Sequence, residues 1–411
     1  MTDLTDATQI GGWTAPGFEG VRDAFVANLA EGREAGAAFS AYHRGTLVAD
    51  LWGGVADVDT GRPWGEDTMV LVYSSTKGAT ATCAHVLAEA GRLDVDAPVS
   101  EYWPEFAQGG KEAITVSDLL SHQAGLAWVD EKLTLEQVLA WEPIVEALAR
   151  QTPLWEPRSA HGYHAVTYGN LVGEVVRRID GRSLGTFFAE EIARPLGLDF
   201  FIGLPESEEA RVAMLVGNLG SLGGGDDGGP GGGGMDAETR ASLEALIGPD
   251  SMLGKALSVN GAFARIGDTP APGGNVFNSS AVHAAEIPAA NGITDARSLA
   301  RMYAACIGDV DGVRLMGEAR MRDAATQRTS GPNIVILNMD LQFGLGYFVR
   351  SSLIQLGGPA SFGHAGAGGS LGWADPDAGL ACGYVMNRMD LGLAGDVRSY
   401  SLVNACYAAI A

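Results

Sequence analysis

Ser74 and Lys77 stand three positions apart in the stretch LVYSSTKGAT, residues 71–80, directly behind a run of apolar side chains. If a helix begins here, Ser74 and Lys77 share a face, whereas Ser75 and Lys77, two apart, point to different sides. Ser74 is therefore the candidate nucleophile. A serine hydroxyl attacks a carbonyl only when a neighbouring base takes its proton, and a lysine can serve only if burial or nearby positive charge lowers its pKa. The apolar MVLVY before the pair and GATAT after it suit such burial. The competing reading is a helix N-terminus with a capping serine and a solvated lysine. With four lysines in the chain, chance at ordinary serine frequency supplies about 0.25 Ser-x-x-Lys matches. The pair needs partners elsewhere.

Residues 35–54, GAAFSAYHRGTLVADLWGGV, read as a hairpin, with β-branched and aromatic runs on either side of a His43-Arg44-Gly45 turn. From Thr76 the spacing of Ala79, Cys83, Val86, Leu87 and Ala90 predicts a helix that stops near Gly91. Between about 115 and 325 helical patterns dominate, in TVSDLLSH, TLEQVLAW, LVGEVVRRIDG, SLGTFFAEEIARPLG, AETRASLEALIG and DARSLARMYAACIG. The glycine-rich stretch 217–236 reads as a mobile surface insertion. Strand patterns return in NIVILNMD, FGLGYFVR, GSLGWADP and GLACGYVMN, and SYSLVNACYAAI closes as a helix.

Strands at both ends with helices between them predict an α+β fold whose antiparallel sheet is built from both termini and flanked by helices. Residues 1–80 and 331–411 would form the lobe holding the sheet, and 81–330 a mainly helical lobe. The Ser74–Lys77 helix would start at the seam, where clefts between lobes usually lie.

A formal charge of −23 and a pI near 4.6 argue against nucleic acid and anionic lipid as partners. No apolar run reaches the length of a membrane span. The acidic N-terminal stretch does not read as a signal peptide, which favours a cytoplasmic location. Cys83, Cys306, Cys382 and Cys406 are scattered in apolar contexts with no CxxC pair, so buried thiols are expected rather than zinc or redox chemistry.

The pattern VYSSTKG resembles the active-site serine region of the serine β-lactamase and penicillin-binding-protein superfamily. In the same order, ITVSDLLSHQAGL at 114–126 is similar to the LLTHTSGL signature of class C-like members. SFGHAGAGGSLGWADPDAGLACGYVMN at 361–387 is similar to their C-terminal strand pair. The resemblance spans nearly the whole chain. It implies a β-lactamase/transpeptidase-like fold with Ser74 as nucleophile and Lys77 as base. It also implies a tyrosine that relays the proton, usually in a Tyr-x-Asn motif. Tyr168-Gly169-Asn170 fits that motif literally, but Tyr163 lies ten residues before Gly173, closer to the family spacing, and is preferred, with Tyr168 as the fallback.

Where the superfamily has Lys-Thr-Gly, this chain has His364-Ala365-Gly366. A histidine there would keep a hydrogen-bond donor yet be mostly uncharged at neutral pH, weakening the grip on an anionic antibiotic. The esterase branch, the family VIII carboxylesterases, shares this departure. The resemblance further implies that the N–H groups of Ser74 and Ala367 face the oxyanion. The expected activity is hydrolysis of short-chain carboxylic esters through an acyl-enzyme on Ser74, with no metal or organic cofactor. Tyr163 and Trp373 would give a neutral, apolar acyl site. The alternatives are a β-lactamase or D-amino-acid peptidase, an acyltransferase, and a non-catalytic binding protein. The partner is a small-molecule ester, and oligomerisation is left open.

Gly368-Gly369-Ser370-Leu371-Gly372 spells the G-x-S-x-G nucleophile elbow, which must pass from strand to helix; here the pattern continues as strand, so Ser370 is not expected to react. His161 and His164 lack the partners of a metal site and read as cleft or surface residues. DVDTGR and DVDGVR lack the closing glutamate of a calcium loop and read as turns. His122 is expected to order a loop.

Overall fold

Strand β1, Ile10–Thr14, borders a sheet in the computed structural model, which describes residues 10–217, 248–263, 269–390 and 395–411. Helix α1, Glu19–Ala30, follows, and then β2, Gly36–His43, and β3, Thr46–Asp57. These two strands are the hairpin expected at 35–54. Their turn puts Arg44 at φ 50° and Gly45 at φ 79°, the left-handed pair that matches the twist of two antiparallel strands.

The further elements that bear on the site are α2, Thr76–Glu89, α3, Val116–Leu120, α4, Thr167–Asp180, and α5, Ala296–Ile307. Strands β4, Phe348–Val349, β5, Phe362–Ala365, β6, Leu371–Asp375, and β7, Leu380–Met386, then complete the sheet, and α6, Val397–Ile410, ends the chain. The order is β1-β3-β2-β7-β6-β5-β4, antiparallel throughout, with Arg62–Pro63 adding an eighth strand beside β3. Both ends of the chain thus meet in one sheet where β7 pairs with β2.

Strand side chains alternate between two buried clusters. Phe39, Ala41, Trp373, Cys382 and Tyr384 join α1 and α6 on one side, while Ala38, Ala374, Ala381 and Val385 join α5 on the other. Glycines permit the close approach of α5: a Cβ at Gly383 would meet Ala296 O at 2.3 Å, and one at Gly372 would meet the Tyr303 ring at 2.2 Å. The Tyr303 side chain of α5 reaches across to α2, for a Cβ at Gly78 would meet its Oη at 2.0 Å. All four cysteines are buried and free.

Two expected strands are replaced by turns. NIVILNMD bends back on itself, keeping one bridge between Asn333 and Met339. The Asn333 side chain accepts from the N–H groups of Val335 and Ile336 at 3.1 and 3.0 Å, and a side chain that captures backbone donors competes with strand pairing. FGLGYFVR is strand only at Phe348–Val349, because Gly346 turns the chain at φ 90° and Gly344 N donates to Tyr347 O. Of the glycine-rich stretch 217–236 and the AETRASLEALIG helix expected after it, only Gly217 and Gly248 are among the described residues. Among the described residues no helix is long and apolar enough to cross a membrane.

Candidate active site

The turn that carries Ser74 precedes α2. Tyr73 takes φ 43°, unusual for a residue with a side chain, and a short 3-10 turn over Tyr73–Ser75 leads into the helix. Tyr73 is pinned there: Asn275 Nδ2 donates to its hydroxyl at 2.9 Å and its ring packs on Phe277. Val72 N donates to Gly292 O at 2.9 Å, and Gly292 N donates to Thr76 Oγ1 at 2.8 Å. Tyr73 and Ser75 are buried, so the strained backbone leaves Ser74 as the half-buried member of the turn.

Lys77, one helical turn on, is fully buried. Its Nζ lies 3.0 Å from Ser74 Oγ, 2.6 Å from Ala165 O and 2.9 Å from Ala289 O. Carbonyl oxygens only accept, so they take two amine protons. A neutral amine then has its lone pair left for the Ser74 hydroxyl. Burial holds the Lys77 pKa well below the ordinary amine value. The segment carrying Ala289 is tied to the helix, since Thr80 Oγ1 donates to Pro288 O at 2.5 Å. Helix α4 comes close to the same segment: a Cβ at Gly169 would meet Ala289 N at 2.6 Å.

Of the two candidate tyrosines, Tyr163 is the one beside Ser74. Its hydroxyl faces the Ser74 side chain, which acts against the effect of burial on the phenol, and Lys77 Nζ lies 4.7 Å from its ring centroid. Burial raises the Tyr163 pKa, with Ser74 acting against it, so the phenol is protonated at rest. Tyr168 begins α4, stacks on His122, and has a buried hydroxyl with no hydrogen-bond partner. A Cβ placed on Gly346 would meet that hydroxyl at 2.7 Å. The literal Tyr168-Gly169-Asn170 motif therefore lies inside a packed helix.

His364, on β5, is fully buried and stacks on Phe348 with centroids 3.9 Å apart, and on Tyr163 at 6.2 Å. Its Nδ1 lies 2.7 Å from Ala365 O, which fixes the proton on Nδ1. Burial, then the proximity of Lys77, keeps the ring well below the usual imidazole pKa and hence neutral. Nε2 is left as a buried acceptor without a partner. The donor expected at this position is thus spent on the adjoining carbonyl.

Gly366 follows where a Cβ would meet Val72 O at 2.1 Å, so only glycine lets the strand end approach the Ser74 turn this closely. Ala367, next in the turn, has an N–H that no hydrogen bond among the described residues engages. Trp373, expected in the acyl site, is displaced from it by strand alternation. It pairs with Gly363, whereas its neighbour Gly372 pairs with His364, so Trp373 and His364 point to opposite faces of the sheet. Ser370 leads into β6 rather than a helix, which excludes the strand-to-helix elbow.

His161 and His164, expected to be cleft or surface residues, are both buried, which excludes the surface alternative. His164 Nε2 accepts from Leu126 N at 2.9 Å and His164 N donates to His122 Nδ1 at 3.1 Å. Gly162 N donates to His122 O at 3.0 Å. His122, at φ 61°, thereby ties the loop after α3 to the loop bearing Tyr163 and Ala165. Tyr163 N also donates to Asn333 Oδ1 at 3.1 Å, so the turn that replaced an expected strand holds the site tyrosine. Among the described residues no cluster of His, Cys, Asp or Glu could hold a metal ion.

A half-buried serine, a buried lysine of lowered pKa and a protonated tyrosine gather around one point on a β-lactamase-like fold. Residues 21–405 match the Beta-lactamase family, and the chain belongs to it. The esterase/beta-lactamase LipL of Mycobacterium tuberculosis is 33% identical over 387 residues, covering 93% of this chain and 83% of that protein. Among solved structures, a family VIII carboxylesterase is similar at TM-score 0.84 and 36% identity, covering 98% of this chain and 100% of that one. A penicillin-binding protein homologue from Caulobacter crescentus is similar at TM-score 0.81 and 36% identity, again over 98% of this chain and 100% of the other.

Proposed function

We propose that this chain is a carboxylesterase-type serine hydrolase that cleaves short-chain esters through an acyl-enzyme on Ser74. The observation that carries the reading is the Lys77 amine, buried, held by two carbonyls and 3.0 Å from Ser74 Oγ. Lys77 takes the Ser74 proton as Oγ attacks the ester carbonyl. The tetrahedral oxyanion is met by the Ser74 and Ala367 N–H groups. Tyr163 passes the proton to the departing alkoxide, breaking the C–O bond and releasing the alcohol. Water then enters, gives its proton to the same Tyr163–Lys77 pair, and attacks the acyl carbonyl, freeing the carboxylic acid and restoring Ser74.

Ester rather than β-lactam hydrolysis is favoured by the neutral His364, which offers no cation to a substrate carboxylate. The name of LipL, an esterase/beta-lactamase, keeps β-lactam turnover as the second reading. Parallel assays with p-nitrophenyl butyrate and nitrocefin separate the two. The esterase reading expects the higher kcat/KM for the ester and loss of turnover in Ser74→Ala; preference for nitrocefin would reverse it.

A further inference from the structure

The turn Gly366–Ser370 that carries the Ala367 N–H is gripped from two sides by groups outside the reacting set. On one side Ser370 Oγ donates to Val72 O at 2.9 Å and lies 3.1 Å from Ser75 Oγ. Ser75 Oγ also donates to His364 O at 3.3 Å. Val72 and Ser75 bracket the nucleophile, so these bonds tie the turn to the Ser74 backbone.

On the other side stands Arg398 of α6, only 1% exposed. Its Nη2 donates to Gly368 O, and its Nη1 donates to Arg388 O at 2.8 Å. The guanidinium is itself fixed by Asp396 Oδ2 at 2.6 Å and by Glu34 Oε2 at 3.2 Å, and Tyr384 donates to the other Glu34 oxygen. Between the anchors there is no slack. A Cβ at Gly369 would meet Asp396 Oδ2 at 2.4 Å and Arg398 Nη2 at 2.5 Å, and one at Gly366 would meet Ser370 Oγ at 2.2 Å. A buried cluster of two carboxylates and one guanidinium contributes little net stability compared with apolar packing. Its place behind Gly368 gives it a different use.

We propose that Ser370 and Arg398 are positioning residues for acyl transfer, holding the Gly366–Ser370 turn so that the Ala367 N–H stays aimed at the carbonyl oxygen under attack. This rests on the reading of Ser74 as nucleophile. An oxyanion donor acts most strongly when charge has formed, so a loosened turn costs turnover rather than substrate binding. Complete loss of one such donor lowers kcat by about 10²–10³. A displaced donor retains part of that effect.

The test uses the full chain with Ser370→Ala and Arg398→Lys, p-nitrophenyl butyrate as substrate, and phenylboronic acid as a tetrahedral mimic. Ser370→Ala is expected to lower kcat about tenfold, with KM within about twofold, and to raise the boronate Ki by the same factor as kcat falls. Its melting temperature stays near that of the parent. Arg398→Lys keeps the charge but cannot span Gly368, Arg388, Asp396 and Glu34 with one nitrogen, so its kcat falls at least as far. If Arg398→Lys fails to fold, Ser370→Ala alone decides. An unchanged kcat and boronate Ki in Ser370→Ala, or a rise in KM alone, overturns the proposal. Absence of ester turnover in the parent chain would instead sink the esterase reading, while the ratio of boronate Ki values still tests the positioning role.

Discussion

Lys77 Nζ lies 4.7 Å from the centroid of the Tyr163 ring, so the tyrosine whose hydroxyl faces Ser74 also roofs the amine. The two roles separate by substitution. Tyr163→Phe keeps the roof and removes the proton relay, and is expected to lower kcat by about 10²–10⁴ with little change in fold stability. Tyr168→Phe deletes a buried hydroxyl that has no partner and should leave kcat within a few-fold while holding or raising the melting temperature. Steady-state kinetics and thermal melts of the two variants check both; equal losses in the two would contradict the assignment of Tyr163.

The pH dependence follows from burial of Lys77, which lowers its pKa by disfavouring the charged form. Only the neutral amine can accept the Ser74 proton. The rate kcat/KM is therefore expected to rise as pH climbs through the lowered lysine pKa and to stay high above it. Lys77→Arg, charged at all accessible pH, should lose about 10³-fold in kcat at every pH. A profile that is flat in the parent chain down to pH values where a buried amine would be charged, or an active arginine variant, argues against lysine as base.

On the proposed reading, His364 sets charge preference. With its proton on Nδ1, given to Ala365 O, and Nε2 bare, it presents no positive group to substrate. His364→Lys is expected to raise the ratio of nitrocefin to p-nitrophenyl butyrate kcat/KM by about tenfold, the worth of one modest charge-assisted bond. An unchanged ratio would mean that substrate carboxylates are not met at this position.

Gly366→Ala forces a methyl group to within 2.1 Å of Val72 O and 2.2 Å of Ser370 Oγ. The strand end must retreat from the nucleophile turn, taking the Ala367 N–H with it. A fall in kcat of at least about 10² is expected, the cost of a lost oxyanion donor. Kinetics of the purified variant check this; a kcat within twofold of the parent would show that the close approach is dispensable.

Much of the frame was legible because it rests on local pattern. The hairpin at 36–57 announces itself by Arg44-Gly45 between alternating runs, and the Ser74–Lys77 contact by spacing on a helix. The family spacing to Gly173 favours Tyr163 over the literal motif at Tyr168, and Tyr163 is the ring that lies nearer Lys77. What stayed hidden depends on tertiary contact. Main-chain carbonyls carry no sequence signature, so the hold of Ala165 O and Ala289 O on Lys77 could not be foreseen. NIVILNMD has the composition of a strand, yet the Asn333 side chain bends it into the turn that holds Tyr163 N. Trp373 was misplaced because strand alternation, not proximity in sequence to His364, decides its face. Arg398 was not foreseen, since Glu34 and Gly368 reach it only in the fold, although Asp396 stands two positions away.

The central claim is that the Lys77 amine activates Ser74. Its most direct test is peptide mapping of the full chain after reaction with a fluorophosphonate at neutral pH, alongside the Lys77→Arg variant. Phosphonylation confined to Ser74 in the parent and slowed at least about 10²-fold in the variant is the predicted result. Label at Ser370 or elsewhere, or equal labelling of Ser74 in both chains, would contradict it.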